Sequence, residues 1–156
     1  KSELYEKSSE FLRSRGYTNM CRSYYETNQG TVTVNFAPAE EGRLLYPDLI
    51  KVTVALDNGS ILGFESRGYV MNHRVREFTP SGLSIEEAET LLSPLLTVKR
   101  RGQAIIPSAG AKEMDCYEFL CSTPDGAECL VYLNTQTGEE ENILLLLTGE
   151  NGVLTA

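Results

Sequence analysis

His73 is the only histidine in the chain, and it sits in the basic stretch Arg67-Gly68-Tyr69-Val70-Met71-Asn72-His73-Arg74-Val75-Arg76. An imidazole is the side chain best suited to general acid–base work near neutral pH. Acyl transfer would need a nucleophile within hydrogen-bond reach of that base and a carboxylate behind it. No G-x-S-x-G string is present, and Cys21, Cys116, Cys121 and Cys129 lie in no recognised catalytic context. Glycoside hydrolysis would need two carboxylates across a sugar cleft. Glu139-Glu140-Glu141 supplies carboxylates, but the run adjoins a turn and reads as a solvated face. The chain has no tryptophan, so sugar stacking would fall to tyrosine. With no C-x-x-C and one histidine, a structural zinc site is not expected. The expectation is no enzyme, no cofactor and no metal.

Binding chemistry is better represented. Eight tyrosines outnumber five phenylalanines, and tyrosine joins apolar area to a polar tip, as interfaces favour. Tyr24, Tyr25, Tyr46 and Tyr69 all fall in the first half. They either line a partner site or anchor sheet edges and the seam between halves. Tyr46-Pro47-Asp48 forms a stiff loop leading into a strand. Arg67, Arg74 and Arg76 lie near Tyr69, and Arg43 joins them only if the fold allows. On a chain of net charge −8, such a basic patch can dock an acidic partner segment. The candidate partner-binding residues are therefore Tyr46, Asp48, Tyr69, His73, Arg74 and Arg76. His73 also reads as a structural loop residue or a hydrogen-bonding group between domains. An exposed strand edge offers a second mode, the addition of an extended peptide.

The acidic balance, with a pI of about 4.7, disfavours nucleic acid or an anionic membrane as partner. No apolar stretch reaches the ~18 residues of a membrane span. The chain opens at Lys1 inside a helical pattern, so it reads as a fragment with any anchor or targeting segment upstream.

The elements that must position these residues come twice. A helix over about 2–14 carries Leu4, Ser8, Phe11 and Leu12 on one stripe, and Gly16 stops it. Strands follow near 19–26, 31–36 and 50–56. Val32, Val34 and Phe36 face the core, as do Ile50, Val52, Val54 and Leu56, while Asn35 points to the wetter side. The segment with Pro38, Gly42 and Pro47 reads as a loop. Asp57-Asn58-Gly59 is a hairpin turn, with positive φ expected at both Asn58 and Gly59. After a boundary between about 72 and 84, Ser84-Ile85-Glu86-Glu87 forms a capping box. Ile85, Ala88, Leu91, Leu92 and Leu95 make a buried stripe that Pro94 ends or bends. Strands then run near 98–106, 114–121, 128–133 and 141–147, with a second turn at Asn134–Gly138. The two turns lie roughly 80 residues apart, the mark of a duplicated small domain. Short turns make neighbouring strands antiparallel. The fold class is α+β: two tandem units, 1–76 and 83–156, each a helix packed on an antiparallel sheet of about four strands. Small units of this size gain stability by packing together or sharing a sheet.

The four cysteines read as small buried hydrophobes. If Thr123–Gly126 closes its hairpin so that Ser122 opposes Ala127, Cys121 and Cys129 face opposite ways. Cys116 then shares a face with Cys129, about 13 Å along at strand rise. A wider loop would bring Cys121 and Cys129 level. That distance is too far to bridge, and spacing alone leaves the hairpin register, and with it a Cys121–Cys129 pair, open.

The layout resembles the PepSY domain family: a helix, antiparallel strands, and a closing turn of the form D/N-x-x-T-G, here Asn134-Thr135-Gln136-Thr137-Gly138. Longer strings look like the YpeB-like family of spore germination proteins. They are Gly16-Tyr17-Thr18-Asn19-Met20, Tyr24-Tyr25-Glu26, Tyr46–Val52, Val54–Gly59, Gly68–Arg74 and Cys116-Tyr117-Glu118-Phe119. Cys21, Cys121 and Cys129 stand outside that pattern. The resemblance implies a membrane-anchored protein of endospore formers with PepSY units in the extracytoplasmic space at the spore inner membrane and cortex. It implies a protein partner, the cortex-lytic peptidoglycan hydrolase SleB, which the module holds, stabilises or restrains. The alternatives are inhibition of a secreted peptidase and, behind it, a peptidoglycan-acting enzyme.

Overall fold

The computed structural model describes residues 2–108, 112–149 and 152–155, with side chains described as far as Asn142. Helix α1 spans Ser2–Ser14 and buries Ser8 and Leu12, with Leu4, Tyr5 and Phe11 packed on the same core. It ends where the Tyr17 amide donates to the Leu12 carbonyl and the Gly16 amide to Arg13, the paired bonds of a Schellman stop. Strands β1 (Met20–Asn28) and β2 (Thr31–Glu40) form a hairpin through Gln29 and Gly30, both at positive φ. Such a two-residue turn matches the twist of its strands.

Strand β3 (Arg43–Leu45) and a helical turn (Tyr46–Asp48) precede β4 (Ile50–Ala55), and β5 (Ile61–Glu65) leads to helix α2 (Arg67–Asn72). Strands β2 and β4 pair antiparallel from Thr31↔Ala55 to Phe36↔Ile50, which aligns Val32, Val34 and Phe36 with Val54, Val52 and Ile50. These six and Leu12 make the first core. Burying each large side chain contributes roughly 1.5–3 kcal/mol. Tyr5 stacks on Phe36 with ring centroids 5.9 Å apart.

In the second half, helix α3 (Ile85–Glu89) precedes five strands: β6 (Thr97–Pro107), β7 (Glu113–Ser122), β8 (Glu128–Asn134), β9 (Glu140–Gly149) and β10 (Gly152–Thr155). Each pairs antiparallel with the next. One face of this sheet packs Ala88 of α3 against Phe119, Cys121, Cys129 and Val131. The other face (Ala104, Ile106, Cys116, Leu130, Tyr132) receives Leu44 and Tyr46 from the first half. The halves share one sheet, joined by β3, which runs antiparallel to β2 at Ala39↔Leu44 and parallel to β6 at Leu44↔Ala104.

Both closing turns have one backbone geometry. The Gly59 amide donates to the Ala55 carbonyl and the Ala55 amide to Ser60; the Gly138 amide donates to Asn134 and the Asn134 amide to Glu139. The last loop residue, Gly59 or Gly138, carries the positive φ, 70° and 75°. The two turns are therefore equal in length. Asn58 does not share the positive φ; its side chain instead accepts the Ser60 amide at 2.9 Å.

Several expectations are corrected. Helix α3 stops at Glu89, short of the expected stripe, and Leu91 and Leu95 are exposed. Past Thr90 the amides bond three residues back, Leu91 to Ala88 and Leu92 to Glu89. Pro94 has no amide to continue the ladder and disfavours a helical Ser93. The N-cap holds, with the Glu87 amide donating to Ser84 Oγ at 3.1 Å. Leu56 lies in the turn, exposed, and Asn35 is buried, its amide nitrogen donating to the Tyr24 carbonyl at 3.3 Å. The expected Pro38–Pro47 loop carries the end of β2 and all of β3. Ser122 pairs with Glu128, which sets Cys121 opposite Cys129 and puts Cys116 on the other face. Cys116, Cys121 and Cys129 are buried as expected, whereas Cys21 is exposed.

Candidate functional site

The chain's polar chemistry concentrates where the two halves meet. Asp48 ends the helical turn after β3 and is wholly buried. Helix α2 docks on that turn. Gly68 makes the approach possible, since a Cβ there would stand 2.9 Å from the Leu49 carbonyl oxygen. Asn72 Nδ2 donates to the Pro47 carbonyl at 2.9 Å. The docking places His73 just past α2, with Nδ1 2.7 Å from Asp48 Oδ2 and its ring stacked on Tyr69 at 4.2 Å. Burial raises the Tyr69 phenol above its ordinary pKa, and nearby Tyr17 and Asp48 raise it further.

Arg76 is the centre of the cluster. Its guanidinium donates to both oxygens of Asp48, at 2.8 and 2.7 Å, and to both oxygens of Glu113, at 2.8 and 2.9 Å. One nitrogen also donates to the Asn72 carbonyl at 3.2 Å. The Arg76 side chain is only 5% exposed. Such double forks are the strongest hydrogen bonds that arginine makes. They hold the guanidinium protonated, above its ordinary pKa, through the bonds to Asp48 and then Glu113. Arg74 is 58% exposed and lies 3.3 Å from Glu113. Asp48 belongs to the first half and Glu113 to β7, so Arg76 bolts the connecting segment to both.

Five of the six candidate residues therefore meet in one place. Tyr46 stands apart, and its hydroxyl donates to Glu118 Oε2 at 2.6 Å. Tyr132 donates to the same oxygen at 2.7 Å, and Ser23 to the Tyr46 hydroxyl at 3.1 Å. Burial first, and Glu118 second, push both phenols above their ordinary pKa. Arg43 pairs with Asp115 at 3.0 Å and lies over the Phe78 ring at 4.5 Å, and Gln103 also donates to Asp115.

Sequence reasoning missed Glu113, Asp115 and Glu118. The available signal was their place in β7, three acids in a strand that is otherwise largely apolar and buried. Such groups need cationic or hydroxyl partners.

Beside the cluster, the segment from Arg74 to Thr79 and the neighbouring ends of β6, β7 and β8 line a groove of about 840 Å³. Arg74, Val75, Phe78, Lys112, Met114 and Gln136 are among its lining residues. Val75 is almost fully exposed, and Gln136 Nε2 ties the segment down by donating to the Pro80 carbonyl at 2.8 Å. Among the described residues, no group of three or more His, Cys, Asp or Glu side chains could hold a metal ion. Among them, no helix is long and apolar enough to cross a membrane.

A helix followed by an antiparallel sheet, the repeated glycine-ended turn and a polar seam fit the class of PepSY-type α+β modules. A family model described as YpeB sporulation, PepSY1 and PepSY2 domains, matches residues 1–79. The chain belongs to the YpeB sporulation family. It is 34% identical over 142 residues to sporulation protein YpeB of Halalkalibacterium halodurans, covering 91% of this chain and 32% of that protein. The Bacillus subtilis YpeB is 30% identical over 116 residues, covering 74% of this chain and 26% of that protein. The fold matches the Bacillus megaterium YpeB C-terminal domain with a TM-score of 0.87 and 26% identity, over 94% of this chain and 65% of that one. The chain thus spans about a third or less of the curated relatives' length.

Proposed function

We propose that the chain is a non-enzymatic regulatory module of two PepSY-like units, 1–76 and 83–156, that holds, stabilises or restrains a spore cortex-lytic hydrolase of the SleB type. It acts outside the membrane, at the spore inner membrane and cortex, with the anchor carried elsewhere in the longer protein. Family membership supports the setting. The observation that carries the binding role is the groove beside the Arg76 cluster. Arg76 and Glu113 lie in its wall, Asp48, Tyr69 and His73 brace Arg76 from behind, and Arg74 with Lys112 offers exposed cations to an acidic segment. Tyr46 contributes by holding the seam.

The test combines the full-length protein with its cognate hydrolase. A complex should form, and hydrolase digestion by an added protease should slow. Reversing the rim charges with R74E/K112E should weaken binding on the order of tenfold, mainly through slower association. No complex and no protection would overturn the reading, as would release of sugar from cortex fragments by this protein alone. A peptidase inhibitor is the second reading. It is favoured by β5, an edge strand of the described sheet with Leu62 and Phe64 exposed, where a peptide could add as a further strand. Inhibition across a peptidase panel without hydrolase binding would select it.

A further inference from the structure

We propose that Cys121 and Cys129 are a redox pair that closes reversibly into a cross-strand disulfide between β7 and β8. The register places them directly opposite one another, one step beyond Ser122↔Glu128. The Thr123 amide donates to the Ala127 carbonyl at 2.8 Å. That pair is hydrogen-bonded, and Cys121↔Cys129, two residues further on, falls in the same phase of the ladder. Opposed Cα atoms at such positions lie about 5.5 Å apart, inside the roughly 4.4–6.8 Å that a disulfide spans. Both thiols belong to one buried cluster on the α3 side of the sheet. Cys116 lies in the cluster on the opposite face, and Cys21 is exposed in the first half. Among the four cysteines, this pair alone shares both a register position and a face.

The pair also has a route to oxidant. It lies close behind the hairpin tip Thr123-Pro124-Asp125-Gly126-Ala127, whose central three residues are exposed. Fraying of that tip bares the sulfurs without opening the sheet. The oxidant is a low-molecular-weight disulfide. One cysteine thiolate attacks it, forms a mixed disulfide and releases one small thiol. The other cysteine, deprotonated in turn, attacks the mixed disulfide, closes Cys121–Cys129 and releases the second small thiol. The protein loses two protons and two electrons, and the small disulfide is reduced to two thiols. Burial pushes the Cys121 thiol up to about 11 and raises Cys129 also. The attacking thiolate is therefore scarce at neutral pH, and closure is slow there. Its rate should rise about tenfold per pH unit while the pH stays below both thiol pKa values.

The test uses the chain carrying C21S, which removes the exposed thiol, incubated with oxidised glutathione at pH 7, 8 and 9. Intact mass should fall by the two hydrogens of one disulfide, and peptide mapping should join the segments holding Cys121 and Cys129. The rate should climb with pH, dithiothreitol should reverse the change, and C116S should leave it intact. Refolding from urea in a glutathione redox buffer is the second arm, and the same bond should form. C121S and C129S should each abolish the loss of two hydrogens. Three free thiols in both arms would overturn the proposal, as would stable glutathione adducts without closure or a bond involving Cys116.

Discussion

Arg76→Met removes the guanidinium at the centre of the seam while keeping an unbranched side chain to fill its volume. Asp48 then keeps His73 as its one remaining side-chain partner, although its own side chain is wholly buried. Glu113, 16% exposed, keeps Arg74. Breaking a buried pair by deleting one member costs about 3–5 kcal/mol, because it strands a charge away from water. Five hydrogen bonds disappear at once, so the upper half of that range is expected. A domain of ordinary stability has only about 5–15 kcal/mol in total. With a urea slope of roughly 2 kcal/mol/M, the midpoint should fall by about 2 M. Replacing both partners, R76M with D48L, should recover much of the loss, since a matched apolar pair leaves no buried charge. Urea melts of the four proteins in this cycle give the coupling directly. A midpoint for R76M within about 0.3 M of the parent, or a coupling below about 0.5 kcal/mol, would refute the claim that Arg76 bolts the halves together.

The paired turns allow a matched comparison. Gly59→Ala and Gly138→Ala both force alanine into the left-handed region, at about 1–2 kcal/mol. At 59 the new Cβ meets only the flexible end of Lys7, whereas at 138 it meets Leu91 at 2.5 Å and Leu83 at 2.9 Å. G138A should therefore lose about 1–3 kcal/mol more than G59A, and equal melts would show that the surroundings of the two turns do not matter. The raised phenols of Tyr46 and Tyr132 set an alkaline limit. Their stabilisation is fully present below the unfolded phenol value near 10 and is lost as pH rises from there through the higher folded values, by up to about 1.4 kcal/mol per pH unit for each. Urea midpoints at pH 9, 10 and 11 should show a shallower alkaline slope for Tyr132→Phe than for the parent; parallel slopes would contradict this.

The local elements were legible because their signals are short-range. The stripe Leu4–Leu12 marked α1, the alternation Val32-Val34-Phe36 marked the central strand, and glycine-ended turns marked both hairpins. What stayed hidden was set by tertiary contact. Helix α2 has a glycine at its second position and an exposed apolar outer side in Val70 and Met71. It forms because Gly68 can sit against the Pro47–Leu49 backbone, a contact no periodicity reports. Strand β3 is three residues long and pairs with β6 from the other half. At the seam, the sequence drew attention to Arg67, Arg74 and Arg76 as a basic patch and to Asp48 and His73 as separate candidates, but not to the pairing between them. The acids that Arg76 takes, Asp48 and Glu113, lie 28 and 37 residues away, a pairing beyond the reach of local pattern.

The partners along β7 explain why this seam is polar. Glu113 takes Arg76, Asp115 takes Arg43, and Glu118 takes Tyr46. Three acids of one strand thus receive three donors from the first half and from the segment that leaves it. Apolar contact between the halves exists as well, where Leu44 and Tyr46 meet the second sheet. Apolar area is tolerant of sliding, however, while a two-sided guanidinium fork works at one position only. A parallel join of three residue pairs, β3 on β6, is a short ladder to fix the relation of the sheet's two halves. The acids of β7 supply the missing register. The same Arg76 fork holds the 74–79 segment beside the ends of β6, β7 and β8, so the groove beside Arg74 depends on the bonds that set this register.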